Sequence, residues 1–244
     1  ENLQDHPDVI IRCLDKSGTS MAVAPSRHAL AFLGRMMFKK PFVFTPTDCG
    51  GFIRSHPDEP IPDLQLQFAA IRMQPHGRGL STSMRSGFVL HICHLRPESR
   101  GKVMLRSADP FAAPIIHAAY FQQEKELNAL VRGVRLARQI LSQPALRAFH
   151  GGEESPGLAL KTDDQLRQWI LAHVETVYHT AGTCAMGKNN QAVVDATLKV
   201  HGVDRLRVID SSIMPTITGS NIHAPTVMIA EKGADMILTH GKIV

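Results

Sequence analysis

The sequence contains no C-x-x-C pair, no G-x-G-x-x-G, no G-x-x-x-x-G-K-[ST], no H-E-x-x-H and no G-x-S-x-G. Its 244 residues therefore carry neither a dinucleotide fingerprint nor a P-loop, and neither a zinc-protease helix nor a nucleophile elbow. Four cysteines, Cys13, Cys49, Cys93 and Cys184, are too few for a disulfide scaffold and favour a reducing compartment. Charges break every apolar run well before the roughly 20 residues a membrane-spanning helix needs. Aromatic residues make up only 5%, and the basic residues behind the net charge of +5 are scattered. Base stacking and a basic groove, the marks of a nucleic-acid binder, are thus missing. Glu1 stands where an initiator Met is expected and no signal-like region follows, so the sequence reads as processed or as a piece of something longer.

What is present suits a globular protein of one or two domains, with 43% hydrophobic and 20% charged residues. Residues 27–39 have helical composition, ended by Pro41 and Pro46. Residues 58–63 read as a loop, and residues 64–68 alternate like a half-buried strand. Residues 74–87, rich in Gly, Ser and Arg, read as a loop, as do Gly50-Gly51 and residues 151–157. A strand over residues 88–95, a turn at 97–101 and a strand over 102–106 suggest a hairpin or meander. The clearest helix covers residues 123–142, with Leu127, Leu130, Val131, Val134, Ala137, Ile140 and Leu141 on one stripe and Pro144 as its limit. Thr162-Asp163-Asp164-Gln165 has the form of a capping box opening a second helix. Residues 206–210 read as a short buried strand, and residues 224–238 as a final amphipathic helix with Pro225 in its first turn. Met186 and Met228 are expected in the core.

His91, Cys93 and His94 lie close enough to suggest a metal. On a strand, however, only His91 and Cys93 share a face, and no second ligand pair is evident. An ordinary strand explains them better.

Residues 175–238 carry the most chemistry. A strand ends in Asp210-Ser211-Ser212, a loop holds Gly219, Ser220 and Asn221, and a helix follows. The free N–H groups of a helix start suit an anionic or carbonyl-bearing ligand. His179 stands beside Gly182-Thr183 outside any apolar period. On residue type alone it is either a catalytic group or a structural histidine.

This segment resembles the C-terminal signature of the glucose-methanol-choline (GMC) family of FAD-dependent alcohol oxidoreductases. The matching positions are His179, Gly182-Thr183, Met186-Gly187, the Leu206-Arg207-Val208-Ile209-Asp210 run with Ser212, Asn221, Pro225-Thr226, and Glu231-Lys232 with Ala234-Asp235. Residues 1–6 resemble the family's Asn-Leu-Gln-Asp-His element, and residues 94–101 the turn that opens its substrate-domain hairpin. The resemblance implies that His179 is the catalytic base. Counting back from Asp235, it selects Asn221 as the second active-site residue, as in choline-dehydrogenase-like members. His223 falls outside that position and is taken as a flavin-side neighbour. Asp210, Ser211, Pro225 and Thr226 would be contacts to FAD. Taken from the residues alone, Asp210 is a strand-end turn residue.

These residue types fit the implied reaction, oxidation of a primary alcohol to an aldehyde by proton abstraction and hydride transfer to flavin N5. A group with an ordinary pKa near 6.5 suits the proton, and an amide suits the developing alkoxide. The implied fold is α+β. Residues 21–187 form an antiparallel-sheet substrate-binding domain with helices. Residues 1–20 and 188–244 supply the edge, C-terminal strand and helix of an incomplete Rossmann-like FAD-binding domain. The implied partners are a small-molecule alcohol and the N-terminal FAD-binding portion; no nucleic acid and no transmembrane segment are expected. The expected location is cytoplasmic, compatible with peripheral membrane association. A flavin-free module that kept the fold is the alternative; retention of both His179 and Asn221 speaks against it. One Trp and two Tyr make no rich aromatic cage for choline, so an aliphatic or aromatic alcohol is an equal expectation.

Overall fold

The computed structural model describes residues 1–17, 49–72 and 86–240. The helix expected over residues 27–39 lies outside them, as does nearly all of the loop expected over residues 74–87. The strands are β1 (Pro7–Asp15), β2 (Cys49–Ile53), β3 (Leu64–Ala69), β4 (Gly87–His94), β5 (Lys102–Met104), β6 (Ile115–His117), β7 (His150–Ser155) and β8 (Glu175–Thr176). The helices are α1 (Glu124–Leu141), α2 (Asp163–His173) and α3 (His223–His240). Among the described residues no helix is long and apolar enough to cross a membrane. The chain forms two compact units, one from Glu1–Pro7, His94–Glu126 and Thr176–Val244, the other from Asp8–Cys93 and Leu127–Glu175.

The second unit is built on a six-stranded antiparallel sheet of order β2-β3-β4-β1-β7, with β8 also paired to β1. Every residue of β4 is buried, and so are Leu64, Gln65 and Leu66 of β3. The alternation in residues 64–68 thus marks a strand covered more fully than half-buried. Both glycine pairs expected in loops lie in strands, Gly50-Gly51 in β2 and Gly151-Gly152 in β7. A ladder is a main-chain structure, so glycines can take part in it: β2 pairs from Cys49↔Phe68 to Ile53↔Leu64, with Gly50 opposite Gln67 and Gly51 opposite Leu66.

Helix α1 buries Leu127, Leu130, Val131, Val134, Ala137 and Leu141, whereas Ile140, expected on the same stripe, is 41% exposed. Helix α2 opens with the expected capping box: Gln165 N–H donates to Thr162 Oγ1 at 3.2 Å, and Thr162 N–H donates to Gln165 Oε1 at 3.0 Å. Of the suggested metal group, His91 instead contacts Asp8 through Nδ1 at 2.6 Å. Burial alone would lower its pKa, but the Asp8 carboxylate, its hydrogen bond and the charge of Glu175 outweigh that, so the net shift is upward.

In the first unit β5 pairs with β6, from Lys102↔His117 to Met104↔Ile115, and not with β4. The expected hairpin of β4 and β5 is therefore wrong. The intervening segment is diverted by the buried Glu126 carboxylate, which accepts from Glu98 N at 2.6 Å, Ser99 N at 2.8 Å and Ser99 Oγ at 2.5 Å. The strand expected over residues 206–210 is not formed either. Leu206 is 49% exposed, and the segment has a single bridge, Lys199↔Arg207. Branched apolar residues favour a strand only where a full ladder is there to pair with. Met186 packs against the core, as expected, but Met228 is 59% exposed on α3, contrary to expectation. The core of this unit is Ala181, Val194, Leu198, Ile213, Met214, Ile217, Ile222 and Ile229.

Gly133 shows which force sets the seat of α1. In a helix interior Ala would be preferred over Gly by about 1 kcal/mol. A Cβ at Gly133 would stand 2.7 Å from Ile92 Cγ2 and 3.0 Å from Leu64 Cδ1, so close contact with β3 and β4 requires the missing side chain. Gly133→Val is expected to cost about 1–3 kcal/mol through overpacking. The check is a urea midpoint that falls at constant slope; an unchanged midpoint would mean that Ile92 and Leu64 make room.

Candidate functional site

The residues around His179 are gathered by the first six residues of the chain. Gln4 pairs its backbone with Ala181 in both directions, each bond 2.9 Å. Its side chain spans a third segment: Nε2 donates to the Pro215 carbonyl at 3.0 Å, and Oε1 accepts from Ile217 N at 3.1 Å. Leu3 pairs likewise with Gly101, with bonds of 3.0 and 2.8 Å. The segment therefore acts as a central strip onto which three remote stretches are fastened.

Gly182 explains one fixed position of the His179 signature. Its φ is +89°, and a Cβ would stand 2.6 Å from the Asn2 carbonyl oxygen and 2.7 Å from Gln4 Nε2. Both the left-handed backbone and the close approach require glycine. Three neighbouring residues adopt the same region without it, Ala119 (φ 56°), Phe121 (φ 62°) and Tyr178 (φ 64°). Each costs on the order of 1 kcal/mol. Two of them flank Tyr120 and the third precedes His179, so the strain sits where side chains are aimed into the site.

The side chains form one connected group. Asp5 Oδ1 accepts the backbone N–H of His6 at 2.9 Å and of His179 at 3.2 Å, and Asp5 Oδ2 accepts from the Tyr120 hydroxyl at 2.5 Å. The rings of His6 and His179 meet edge to face, Nδ1 to Nδ1 at 3.0 Å. The opposite nitrogen of His179, Nε2, faces Asn221 Nδ2 at 3.3 Å. Asp5, His6, His94 and His179 are all buried, while Asn221 is exposed, so the group opens to solvent on the Asn221 side. The pKa of His6 is lowered to about 3 by burial, then by the charges of His179 and His94, against the weaker opposing effect of the Leu95 and Thr218 carbonyls.

The two site residues expected from the sequence, His179 and Asn221, are thus in contact. The expected cofactor residues lie elsewhere in the same unit. Asp210 is exposed and caps a short 3-10 turn (Ser211–Ile213), accepting from Ser212 N at 2.8 Å. Ser211 Oγ donates to the Thr180 carbonyl at 3.0 Å. His223 is the exposed first residue of α3, Pro225 is half-buried, and Thr226 Oγ1 bonds back to the Ile222 carbonyl at 2.7 Å. An open cleft of about 640 Å³ includes Asn2, Arg100, Gly182, Thr183, Met186 and Pro215 in its lining, but neither His179 nor Asn221. Asp5, His6, His94 and Tyr120 were not singled out as site residues; the only signal for two of them was the Asn-Leu-Gln-Asp-His element. Among the described residues no group of three or more His, Cys, Asp or Glu is placed to hold a metal.

Burial of a neutral His6 has a pH consequence. The folded state refuses a proton that the unfolded chain accepts below about 6.5, so folding stability falls as pH drops from 6.5 toward 3. His6→Asn should flatten that decline between pH 7 and pH 4 in urea unfolding. Parallel declines for the two proteins would count against a buried neutral His6.

The model of the family described as GMC oxidoreductase matches residues 97–230. An alcohol dehydrogenase [acceptor] of Pseudomonas putida is 37% identical over 242 residues, which is 98% of this chain and 44% of that protein. An oxygen-dependent choline dehydrogenase of Chromohalobacter salexigens is 39% identical over 97% of this chain and 43% of its own length. A solved structure of Aspergillus oryzae formate oxidase superposes with a TM-score of 0.87 at 26% identity, over 99% of this chain and 47% of that one. The chain spans less than half the length of these proteins and corresponds to their C-terminal part. The match over residues 97–230, which includes His179 and Asn221, shows the family: the chain belongs to the GMC oxidoreductases, a family of FAD-dependent enzymes.

Proposed function

We propose that this chain is the C-terminal catalytic part of an FAD-dependent alcohol oxidoreductase that converts a primary alcohol to an aldehyde. The observation that carries this reading is the buried His179 imidazole with Nε2 at 3.3 Å from the Asn221 amide. In this reading residues 21–187 serve as the substrate-binding domain. Residues 1–20 and 188–244 return into the Rossmann-like FAD-binding domain, whose N-terminal portion is a partner of this chain, as is the alcohol. The exposure of Asp210 and the N–H-rich start of α3 fit the polar, carbonyl-bearing edge of a flavin, with Ser211, His223, Pro225 and Thr226 beside them.

FAD, when bound, supplies the two-electron acceptor for the hydride that leaves the carbinol carbon. His179 takes the hydroxyl proton at Nε2, a base whose type suits near-neutral pH. Asn221 Nδ2 donates to the oxygen as its negative charge grows, and does so with little reorganisation because the amide already stands at the base. His179 then carries the proton, and the oxygen becomes the aldehyde carbonyl. The open side at Asn221 gives an alcohol its approach. The relatives' names include both choline and alcohol dehydrogenases, so the alcohol's class is bounded only by the carbinol carbon.

In the FAD-loaded enzyme, His179→Gln should lower kcat by on the order of 10²–10⁴-fold, and Asn221→Ala by about 10²–10³-fold. An unchanged kcat in the His179 variant would exclude the assigned base. Since these 244 residues hold no dinucleotide fingerprint, the chain alone is expected to retain no stoichiometric flavin. A flavin absorption spectrum of the purified chain checks this, and tightly held FAD would sink it.

A further inference from the structure

A neutral imidazole carries one proton and one lone pair, so every partner restricts which nitrogen holds which. Asn221 presents Nδ2 to His179 Nε2 at 3.3 Å. An amide nitrogen only donates, so Nε2 of His179 accepts and the ring proton sits on Nδ1. That proton points at His6 Nδ1, 3.0 Å away, which must then accept in turn. His6 is left with its proton on Nε2. The backbone carbonyls of Leu95 and Thr218 act on the His6 ring and favour a proton there, and Nε2 is buried without a hydrogen-bond partner of its own among the described residues.

The reverse arrangement fails on the same contacts. If His6 Nδ1 donated, His179 would carry its proton on Nε2 and Asn221 would have to turn its carbonyl toward it. The buried His6 Nε2 would then be left as a lone pair with no donor among the described residues to accept from, and the ring's remaining proton would be turned to His179 rather than toward the Leu95 and Thr218 carbonyls that favour one. A protonated His6 would impose the same reversal, because both its nitrogens would donate. Burial, with the charges of His179 and His94, keeps that form out of reach at neutral pH.

We propose that His6 is a positioning residue whose Nδ1 lone pair holds His179 as the Nδ1–H tautomer, leaving Nε2 as the basic nitrogen on the Asn221 side. The proposal rests on the reading of His179 as the base, but the tautomer is measurable without turnover. Asp5 supports the pair by binding both backbone N–H groups, so that neither ring can slide relative to the other. The sequence alone hides this role, because His6 and His179 are 173 positions apart.

The test is a long-range 1H–15N correlation of the histidine side chains in the full chain at pH 7. His179 should be protonated on Nδ1 and His6 on Nε2. His6→Asn keeps an acceptor oxygen near the place of Nδ1 and should leave His179 as the Nδ1–H form; His6→Leu removes the acceptor and should shift His179 toward Nε2–H. In the FAD-loaded enzyme His6→Leu should lower kcat by at least about 10-fold, within the range that a positioned base contributes, with recovery in His6→Asn. An Nε2–H form of His179 in the unsubstituted chain overturns the proposal, whether or not His6→Leu folds. So does an unaltered tautomer in a folded His6→Leu protein. If the tautomers are as stated but His179→Gln keeps full kcat, the base reading falls while the positioning of His179 by His6 stands.

Discussion

One carboxylate orders the site. Asp5 takes the backbone N–H of its neighbour His6 and of His179, 174 positions away, with its other oxygen on the Tyr120 hydroxyl. A buried carboxylate is expensive to remove from water, and it is tolerated here because its oxygens receive three donors. The arrangement is unforgiving in the other direction. Without Asp5, two buried N–H groups and a hydroxyl lose their acceptor, each costing about 1–3 kcal/mol of desolvation. The positive φ values at Ala119, Phe121 and Tyr178 adjoin two members of the same network, Tyr120 and His179. Strain of that kind persists only where surrounding bonds over-determine the geometry.

Local physics was legible wherever it was sufficient. The stripe of α1 and the Thr162–Gln165 capping box need only neighbours within a few residues, and both form as the sequence indicates, save for the exposed Ile140. Strand pairing was not legible, because it depends on distant partners. Nothing in residues 95–101 announces that Glu126 will capture the Glu98 and Ser99 amides, or that β5 will pair with β6 instead of β4. The glycine pairs misled for a related reason: loop composition is a preference of the isolated chain, and a ladder from a neighbouring strand overrides it. In residues 206–210 the opposite happened, with strand composition and one bridge for a ladder.

The site divides along the same line. His179 and Asn221 were selected through the family resemblance, since each stands in a segment that matches the family's pattern. His6, His94 and Tyr120 come from three other stretches, and no spacing relates them to His179. Even the suggestive His91, Cys93 and His94 run separates on folding: His91 turns to Asp8, whereas His94 adds its charge to that felt by His6. The alternation of a strand, used to argue against a metal, is also what sends the two histidines to different surroundings.

In the proposed reading His179 is the base and His6 its neutral neighbour, and the two rings differ in their surroundings. His6 is fully enclosed, and two nearby histidines add to the burden of any positive charge there. His179 has one edge on this enclosed ring and the other on an exposed amide. A proton arriving from the solvent side therefore meets Nε2 of His179 first. His6 sits behind it as a ring that resists protonation down to a pH of about 3. In the proposed arrangement the pair has a direction: the enclosed ring supplies the acceptor, and the outer ring presents Nε2 on the Asn221 side.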